Sequence, residues 1–328
     1  MTGPEVISVS ASTAELFVGG EIVVLDGLEP ETTYLEQGCS FTTLEDLGPV
    51  RSRVATMNDV HFGETECGRQ GDVVGTGISV EPGEPPYPET MNASVVADAA
   101  ARAVDAVLVK GDLTDLGTAE EYEAFLNCYL PVFGPSLTWV RGNHDSYPGG
   151  DYAAWPLQIV DVPGARLLLL DTAREYRIDG AVSTAQVAGV VEAAREVSVP
   201  VLVFGHHPVA LDDGELGEKH TINPADSSAL LEALEPLDQV LGYFAGHTHR
   251  CRRRQWGHLA LVEVASVKDF PGAWAEYQIH DAGVTQVLHR ASAPAAVAWA
   301  ERTRELYGGL YGAFAAGNLE DRSFVLRR

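Results

Sequence analysis

The sequence predicts an α/β protein that begins with a small β unit. From Arg51 onward, short apolar runs typical of buried strands alternate with loops and with helical stretches. The first fifty residues contain instead only β-prone runs broken by glycines. Polar clusters follow five of the later strands, and ligands of open α/β sheets gather at the carboxyl ends of strands. We therefore expect these clusters to converge on one crevice.

The N-terminal unit is predicted to contain strands at 6–9, 15–18 and 22–25. The stretch from Leu28 to Tyr34 places a tyrosine after a proline-containing turn, which resembles the end of a fibronectin type III sandwich. About fifty residues are only half of a typical ~100-residue sandwich. We therefore expect a partial β unit over residues 1–50 that packs on the main domain.

The main domain is predicted to contain strands at 54–57, 106–109, 137–140, 167–170, 201–204 and 239–244. Its helices are predicted at 93–104, 119–129, 184–197 and 226–234, with Asn92 as the N-cap of the first. Runs at 259–264, 275–280 and 284–288 are expected to form an antiparallel meander in a second sheet. Residues 295–316 are expected to form one final helix. The predicted units are a β unit over 1–50, a catalytic domain over 51–293, and a C-terminal helix and tail over 294–328.

Composition excludes several classes of protein. The net charge of −25 argues against tracking a nucleic-acid backbone by electrostatics. No secretory signal is recognisable and no apolar run reaches the ~20 residues that a membrane span requires, so no membrane association is expected. The four cysteines form no CxxC pair, which favours reduced thiols and a cytoplasmic location. The acidic, arginine-biased composition favours a bacterial source.

The five polar clusters contain carboxylates, imidazoles and one amide, and a glycine precedes four of them. The clusters are Asp59-Val60-His61, Gly111-Asp112-Leu113-Thr114-Asp115, Gly142-Asn143-His144-Asp145, Gly205-His206-His207-Pro208 and Gly246-His247-Thr248-His249. Mixed oxygen and nitrogen donors suit borderline divalent metals rather than Ca²⁺. The candidates are too many for one ion, which indicates two ions sharing a carboxylate.

The motifs D-x-H, G-D-x-x-D, G-N-H-D, G-H-H and G-H-x-H, in this order, resemble the calcineurin-like metallophosphoesterase family. Their spelling is most similar to that of the class III cyclic-nucleotide phosphodiesterase-like members. The resemblance implies a four-layer α-β-β-α sandwich of two mixed sheets. It also implies a metal-dependent phosphoric ester hydrolase with a binuclear centre of Mn, Fe, Zn, Co or Ni.

The resemblance also implies a role for each motif residue. Asp59, His61 and His249 would hold one ion, Asp112 would be shared, and Asn143, His206 and His247 would hold the other. His144 would be the catalytic histidine, with Asp145 a candidate to orient its ring and Asp115 behind the metal ligands. His207, His220 and Arg250 are weaker candidates for substrate contact. Asp115 replaces the iron-binding tyrosine of purple acid phosphatases, and His144 the arginine of lipid A-pathway hydrolases, which disfavours both subtypes.

The implied reaction is attack of a metal-bound hydroxide on phosphorus, with His144 assisting the leaving group. Small phosphodiesters are the expected substrates, and cyclic nucleotides are among the candidates. Monoester or triester hydrolysis at the same site, or a non-catalytic metal-binding scaffold, are the alternatives. The diesterase and the monoester or triester alternatives all imply a small phosphate ester as the partner. A homo-oligomer is compatible with the sequence.

Loops are expected to determine which substrate binds. The glycine- and proline-rich loop at 64–89 follows His61 and is the first candidate for a specificity rim, and 211–223 is the second. The final helix carries an aromatic stripe of Trp299, Tyr307, Tyr311 and Phe314. We interpret this stripe as a core or oligomer contact rather than as part of the substrate site.

Overall fold

The computed structural model describes residues 3–69, 77–146, 154–211 and 220–327. The first three strands form an antiparallel sheet, and the next two form a hairpin. Their bounds are β1 Glu5–Val9, β2 Thr13–Val18, β3 Glu21–Asp26, β4 Thr33–Glu36 and β5 Cys39–Thr42. The backbone N–H of Glu29 donates to the Tyr34 hydroxyl at 2.8 Å, so this tyrosine fixes the turn before β4. The three predicted strands are therefore present.

The rest of the described chain builds two six-stranded mixed sheets. One sheet has the order β13-β14-β12-β11-β10-β9, and the other has the order β17-β16-β15-β6-β7-β8. The strands are β6 Ser52–Met57, β7 Ala106–Lys110, β8 Leu137–Val140, β9 Leu157–Val162, β10 Ala165–Leu170, β11 Val201–Gly205, β12 Val240–Ala245, β13 Arg252–Trp256, β14 Leu259–Glu263, β15 Ala273–His280, β16 Gly283–Arg290 and β17 Ser323–Arg327. Parallel pairing joins β6, β7 and β8, and also β10, β11, β12 and β14.

The helices cover the outer faces of the two sheets. They are α1 Tyr87–Ala101, α2 Ala119–Phe133, α3 Thr184–Arg195, α4 Pro224–Leu234, α5 Pro294–Arg304, α6 Leu310–Ala316 and α7 Leu319–Arg322. Side chains alternate along each strand, so Leu108 of β7 packs in the core between the sheets, whereas Val107 and Val109 pack under α1, α2 and α5. Helices α3 and α4 cover the other sheet. The expected four-layer sandwich is confirmed.

Three sequence predictions about secondary structure are wrong. Helix α1 begins at Tyr87, so Asn92 is not its N-cap; the buried Asn92 amide donates to the Val60 carbonyl at 3.0 Å. Strand β14 pairs in parallel with β12, so the run at 259–264 belongs to a different sheet from β15 and β16. The predicted final helix is interrupted at Tyr307 and Gly308, which have φ values of 54° and 70°.

The C-terminal residues also differ from the expected tail, because β17 adds an edge strand to the sheet beside β16. The N-terminal unit packs against this region: the β1 backbone N–H of Val9 donates to Ser323 Oγ at 3.0 Å. Ile7 and Phe17 form a small apolar cluster with Val297 of α5. The division at residues 50 and 293 stays a prediction.

A buried ionic network joins the N-terminal unit to the large domain. His289 of β16 lies between Glu15 of β2 and Glu276 of β15, with nitrogen–oxygen distances of 2.7 Å and 3.2 Å. Arg102 also contacts Glu15, at 2.5 Å. Burial opposes ionisation of both carboxyl groups, but His289 outweighs it and lowers the pKa of Glu276 to about 2. Burial likewise opposes a charged His289, yet the two glutamates raise its pKa above 6.5.

We expect His289→Gln to destabilise the fold by about 3 kcal/mol near pH 5.5, because it leaves buried charges unpaired. The raised pKa of His289 gives stability that is complete below pH 6.5 and is lost as pH rises through the folded pKa. The lowered pKa of Glu276 gives stability that is complete above 4.5 and is lost as pH falls towards about 2. Urea unfolding at pH 5.5 and pH 9 measures the difference. An equal loss at both pH values contradicts this account, and His258→Gln, at an exposed histidine, serves as the control.

Candidate metal centre and active site

The predicted site residues converge at the carboxyl ends of the strands. Asp59 and His61 follow β6, Asp112 follows β7, Asn143 and His144 follow β8, His206 follows β11, and His247 and His249 follow β12. Most of them line one cavity of about 950 Å³. The parallel strands of the two stacked sheets end at this edge, which is why residues separated by up to 190 positions (Asp59 to His249) meet there.

Asp112 lies between two groups of donors. Its Oδ2 is 3.4 Å from His61 Nε2 and 3.3 Å from His206 Nε2. On the first side, Asp59 Oδ1 is 3.2 Å from His249 Nε2. On the second side, His206 Nε2 is also 3.2 Å from Asn143 Oδ1 and 3.2 Å from His247 Nδ1.

The backbone at these strand ends is strained. Asp59, His61, Asp112, His247 and His249 have φ values between 47° and 69°, in the left-handed region that residues with a Cβ rarely adopt. Such conformations cost about 1–3 kcal/mol each and persist where the surrounding structure enforces them. Five of the seven predicted ligands are therefore fixed by the fold in unfavourable conformations, which is typical of functional sites.

Gly142 allows two of these loops to approach each other. A Cβ at this position would lie 2.1 Å from Asp112 Oδ1, and one at Gly111 would lie 2.5 Å from His206 Nδ1. A glycine at each position therefore permits the close contact between these loops.

We expect Gly142→Ala to weaken Mn²⁺ binding about tenfold or more, because the added methyl group displaces Asp112, a loss comparable to removing a residue that orients a ligand. Isothermal titration calorimetry of the metal-free protein measures the change. Gly3→Ala is the control, since a Cβ there meets open space. Unchanged affinity in Gly142→Ala would show that Asp112 can shift without consequence.

The donors at this site fit divalent metal ions. Among the described residues, Asp59 Oδ1, both ring nitrogens of His61, and His247 Nε2 are buried without a hydrogen-bond partner. Unsatisfied buried polar atoms are rare in folded proteins and call for a ligand. In the described part of the chain, four groups of three His and Asp side chains place their donor atoms within 4.8 Å of one another. One group, Asp59, His61 and His249, is the full set predicted for the first ion. Another group combines Asp59, Asp112 and His206, which are ligands predicted for both ions.

The aspartates and histidines of the site hold protons that a metal ion could displace. Burial opposes the ionised forms of Asp59 and Asp112, but His249 and His206 outweigh it and lower the pKa of both carboxyl groups. Burial also opposes protonation of His206 and His249, yet the carboxylates raise their pKa values to about 9 and about 10. A divalent cation would take the place of these protons, so metal binding is expected to release protons.

A model of the calcineurin-like phosphoesterase family matches residues 52–251, which is more than half of the chain. This protein belongs to that family. The 3',5'-cyclic adenosine monophosphate phosphodiesterase CpdA of Pseudomonas aeruginosa is 30% identical over 181 residues, covering 52% of this chain and 64% of the relative. A probable glycerophosphodiester phosphodiesterase GpdQ of Arcobacter nitrofigilis is 26% identical over 174 residues, covering 49% and 63%. The chain thus spans less than two-thirds of each of these relatives.

Solved structures show the same fold. A dimetal phosphatase from Danio rerio superimposes with a TM-score of 0.56 at 15% identity, covering 75% of this chain and 98% of that one. A purple acid phosphatase from yellow lupin seeds gives 0.50 at 14% identity, covering 83% and 60%. At these identities the likeness shows the phosphoesterase fold alone.

Hydrogen bonds to the ring nitrogens that face away from the carboxylates orient two of the histidines. His206 Nδ1 lies 2.8 Å from the Lys110 carbonyl, and His249 Nδ1 lies 3.2 Å from Asp269 Oδ2. These contacts direct each Nε2 towards the carboxylates of Asp112 and Asp59. Sequence reasoning missed Asp269; its only signal was a charged Lys-Asp pair within an otherwise apolar stretch.

The ring of His144 is oriented by Asp115, and the expectation that Asp145 orients it is wrong. His144 Nδ1 lies 2.7 Å from the Asp115 carbonyl oxygen and 3.6 Å from Asp115 Oδ1. Burial lowers the pKa of His144, but Asp112 and Asp115 outweigh this effect and raise it to about 9. The fully buried Asp145 carboxylate instead accepts the backbone N–H groups of Leu113 and Gly142, at 3.0 and 2.7 Å, and so joins two loops.

The three weaker substrate candidates lie in different places. His220 lines the cavity. His207 is buried with both ring nitrogens engaged, 2.8 Å from Thr172 Oγ1 and 2.9 Å from the Ile178 carbonyl oxygen, which gives it a structural role. Arg250 is also buried, and its Nε donates to Glu263 at 3.0 Å, so the structure does not place it in the described cavity wall.

Loop and C-terminal residues complete the cavity wall. Glu64 to Glu66, Gly68 and Arg69 line it, as expected for the loop at 64–89, whereas 70–76 lies outside the described residues. Of the loop at 211–223, 212–219 also lies outside them. Tyr307 and Tyr311 line the cavity as well, so interpreting the aromatic stripe purely as core or oligomer contact is wrong for these two. Trp299 is core, stacked on Tyr87 with ring centroids 4.3 Å apart.

No helix in the described ranges is long and apolar enough to cross a bilayer.

Proposed function

We propose that this protein is a dimetal-dependent phosphodiesterase that hydrolyses small phosphodiesters, with cyclic nucleotides among the candidate substrates. The observation that carries the proposal is the position of Asp112 between two sets of buried His, Asp and Asn donors, several of them without a hydrogen-bond partner. Family membership and the names of the phosphodiesterase relatives support the reaction class.

The proposed ligands follow the two groups of donors. Asp59, His61 and His249 would hold one divalent ion, Asn143, His206 and His247 would hold the other, and Asp112 would serve both. Imidazole and carboxylate donors without thiolates suit Mn, Fe, Co, Ni or Zn. When bound, two such ions supply Lewis acidity to phosphoryl oxygens and acidify water at neutral pH.

His144 would supply the proton that the leaving oxygen requires. The His144 side chain lines the cavity, and its Nδ1 lies 2.7 Å from the Asp115 carbonyl oxygen. The contact with Asp115 favours the protonated ring that a general acid requires. Asp115 would act as a positioning residue that fixes the ring.

The test is turnover by protein stripped with EDTA and reloaded with Mn²⁺, Fe²⁺, Co²⁺ or Zn²⁺. We expect metal-dependent hydrolysis of bis(p-nitrophenyl) phosphate, and comparison with p-nitrophenyl phosphate and cAMP orders the substrate classes. Absence of turnover with every metal and every ester would overturn the proposal and favour a non-catalytic scaffold.

A further inference from the structure

A buried ion pair lies in the wall of the same cavity. Lys268 Nζ lies 2.6 Å from Glu64 Oε1 and 2.5 Å from Glu64 Oε2, so both carboxylate oxygens accept from one ammonium group. Both residues line the cavity beside His61. Neither belongs to the motifs that define the metal site. Their backbone N–H groups donate to the carbonyl oxygens of Asp59 and His61, at 3.4 and 3.1 Å, whereas their side chains pair with each other.

The fold fixes Lys268 firmly at this position. Only 5% of the residue is exposed. Its carbonyl oxygen accepts from the indole N–H of Trp299 at 2.9 Å, and Trp299 is itself packed in the core. Its ammonium group therefore has little freedom to reach bulk water, and the Glu64 carboxylate is the counter-charge that the structure provides.

The other charged groups beside this pair have partners of their own. Asp269 contacts His249 and the Tyr311 hydroxyl, and Asp115 contacts His144. Of the described cavity-lining residues, Lys268 and the exposed Arg69 are the two with a fixed positive charge. Glu64 is therefore the carboxylate in direct contact with the Lys268 ammonium group, and its charge sets how much positive potential the inner wall offers.

We propose that Glu64 makes this site select phosphodiesters over phosphomonoesters by neutralising Lys268. The inference rests on the proposed phosphoesterase function and specifies its substrate class. A phosphomonoester carries close to two negative charges at pH 8, whereas a diester carries one. A free ammonium group in a partly desolvated wall would favour the second charge, and a neutral ion pair removes that advantage.

The sharpest comparison uses two esters with the same leaving group. p-Nitrophenyl phosphate and methyl p-nitrophenyl phosphate differ by one charge and one methyl group, so the ratio of their kcat/KM values isolates the response to charge. In Glu64→Gln, we expect the monoester-to-diester ratio to rise about tenfold, because Lys268 is released. In Lys268→Met, we expect it to fall about tenfold, because Glu64 then repels the dianion.

Glu66→Gln is the matched control, since Glu66 carries the same charge and lines the same cavity. Its ratio should stay within about twofold of wild type if the effect is specific to the ion pair. A ratio in Glu64→Gln that equals the control overturns the inference. If circular dichroism shows that Glu64→Gln does not fold, Lys268→Met becomes the test. An unchanged monoester-to-diester ratio in Lys268→Met would also overturn the inference.

A binding measurement separates this inference from the proposed function. Calorimetry with the non-hydrolysable phenylphosphonate dianion should show about tenfold tighter binding to Glu64→Gln than to wild type, and its monomethyl ester should bind both about equally. Absence of turnover of either ester by metal-loaded wild type would refute the phosphoesterase function. If both esters are turned over, but Glu64→Gln changes neither the kcat/KM ratio nor the dissociation constants, the inference is refuted and the phosphoesterase function is not.

Discussion

Asp112→Ala is expected to lose both metal ions and at least about 10³-fold of kcat/KM for bis(p-nitrophenyl) phosphate, since metal assistance is worth several kcal/mol. The reason is positional: Asp112 Oδ2 lies within 3.4 Å of histidines from both donor groups. Its other oxygen accepts the backbone N–H of His144 at 3.0 Å, so the loop that carries the proposed general acid also depends on it. Plasma mass spectrometry of the purified variant measures the metal content.

The control for this variant is Asp281→Ala, which removes an aspartate whose side chain is 81% exposed. It should keep wild-type metal content and turnover. If Asp112→Ala still bound two equivalents of metal, Asp112 would not be the shared ligand, and the two donor groups would be independent sites.

His144→Ala is expected to lower kcat about 10²–10⁴-fold, the range for loss of a general acid, while metal content stays at the wild-type value. The expectation follows because the His144 ring is held by Asp115 rather than by the donors around Asp112. The loss should be larger for methyl phenyl phosphate than for methyl p-nitrophenyl phosphate, because phenolate is the poorer leaving group and needs the proton more.

Two outcomes would contradict the assignment of His144. Loss of both metals in His144→Ala would make it a ligand. An equal loss for both leaving groups, with metal retained, would show that His144 binds the phosphoryl group and donates no proton.

The convergence of the candidate metal ligands could be predicted from the sequence because its signal is local. Five of the candidates stand within three residues of the end of a short strand: Asp59, Asp112, Asn143, His206 and His247. The carboxyl ends of parallel strands in an α/β sheet share one edge. A few consecutive residues are enough to recognise an apolar strand and the glycine that follows it. The convergence of the candidate ligands at one edge could therefore be predicted without knowing any long-range contact.

Residue roles that depend on pairing across the chain could not be predicted in this way. Asp145 is next to His144 in the sequence, whereas Asp115 lies 29 positions before it. Only the loop geometry decides that Asp115 contacts the ring while Asp145 accepts backbone N–H groups. Lys268 is separated from Glu64 by 204 positions, so no local pattern links them.

The sequence by itself determined the α/β class and the family, because these depend on hydrophobic patterning and on residue types at the strand ends. Only the tertiary structure decided that β14 joins the sheet of β12, that Tyr307 and Tyr311 reach the cavity, and that Glu64 neutralises Lys268. The physical reason is that sheet order and side-chain partners are selected by the packing of distant segments, which adjacent residues do not encode.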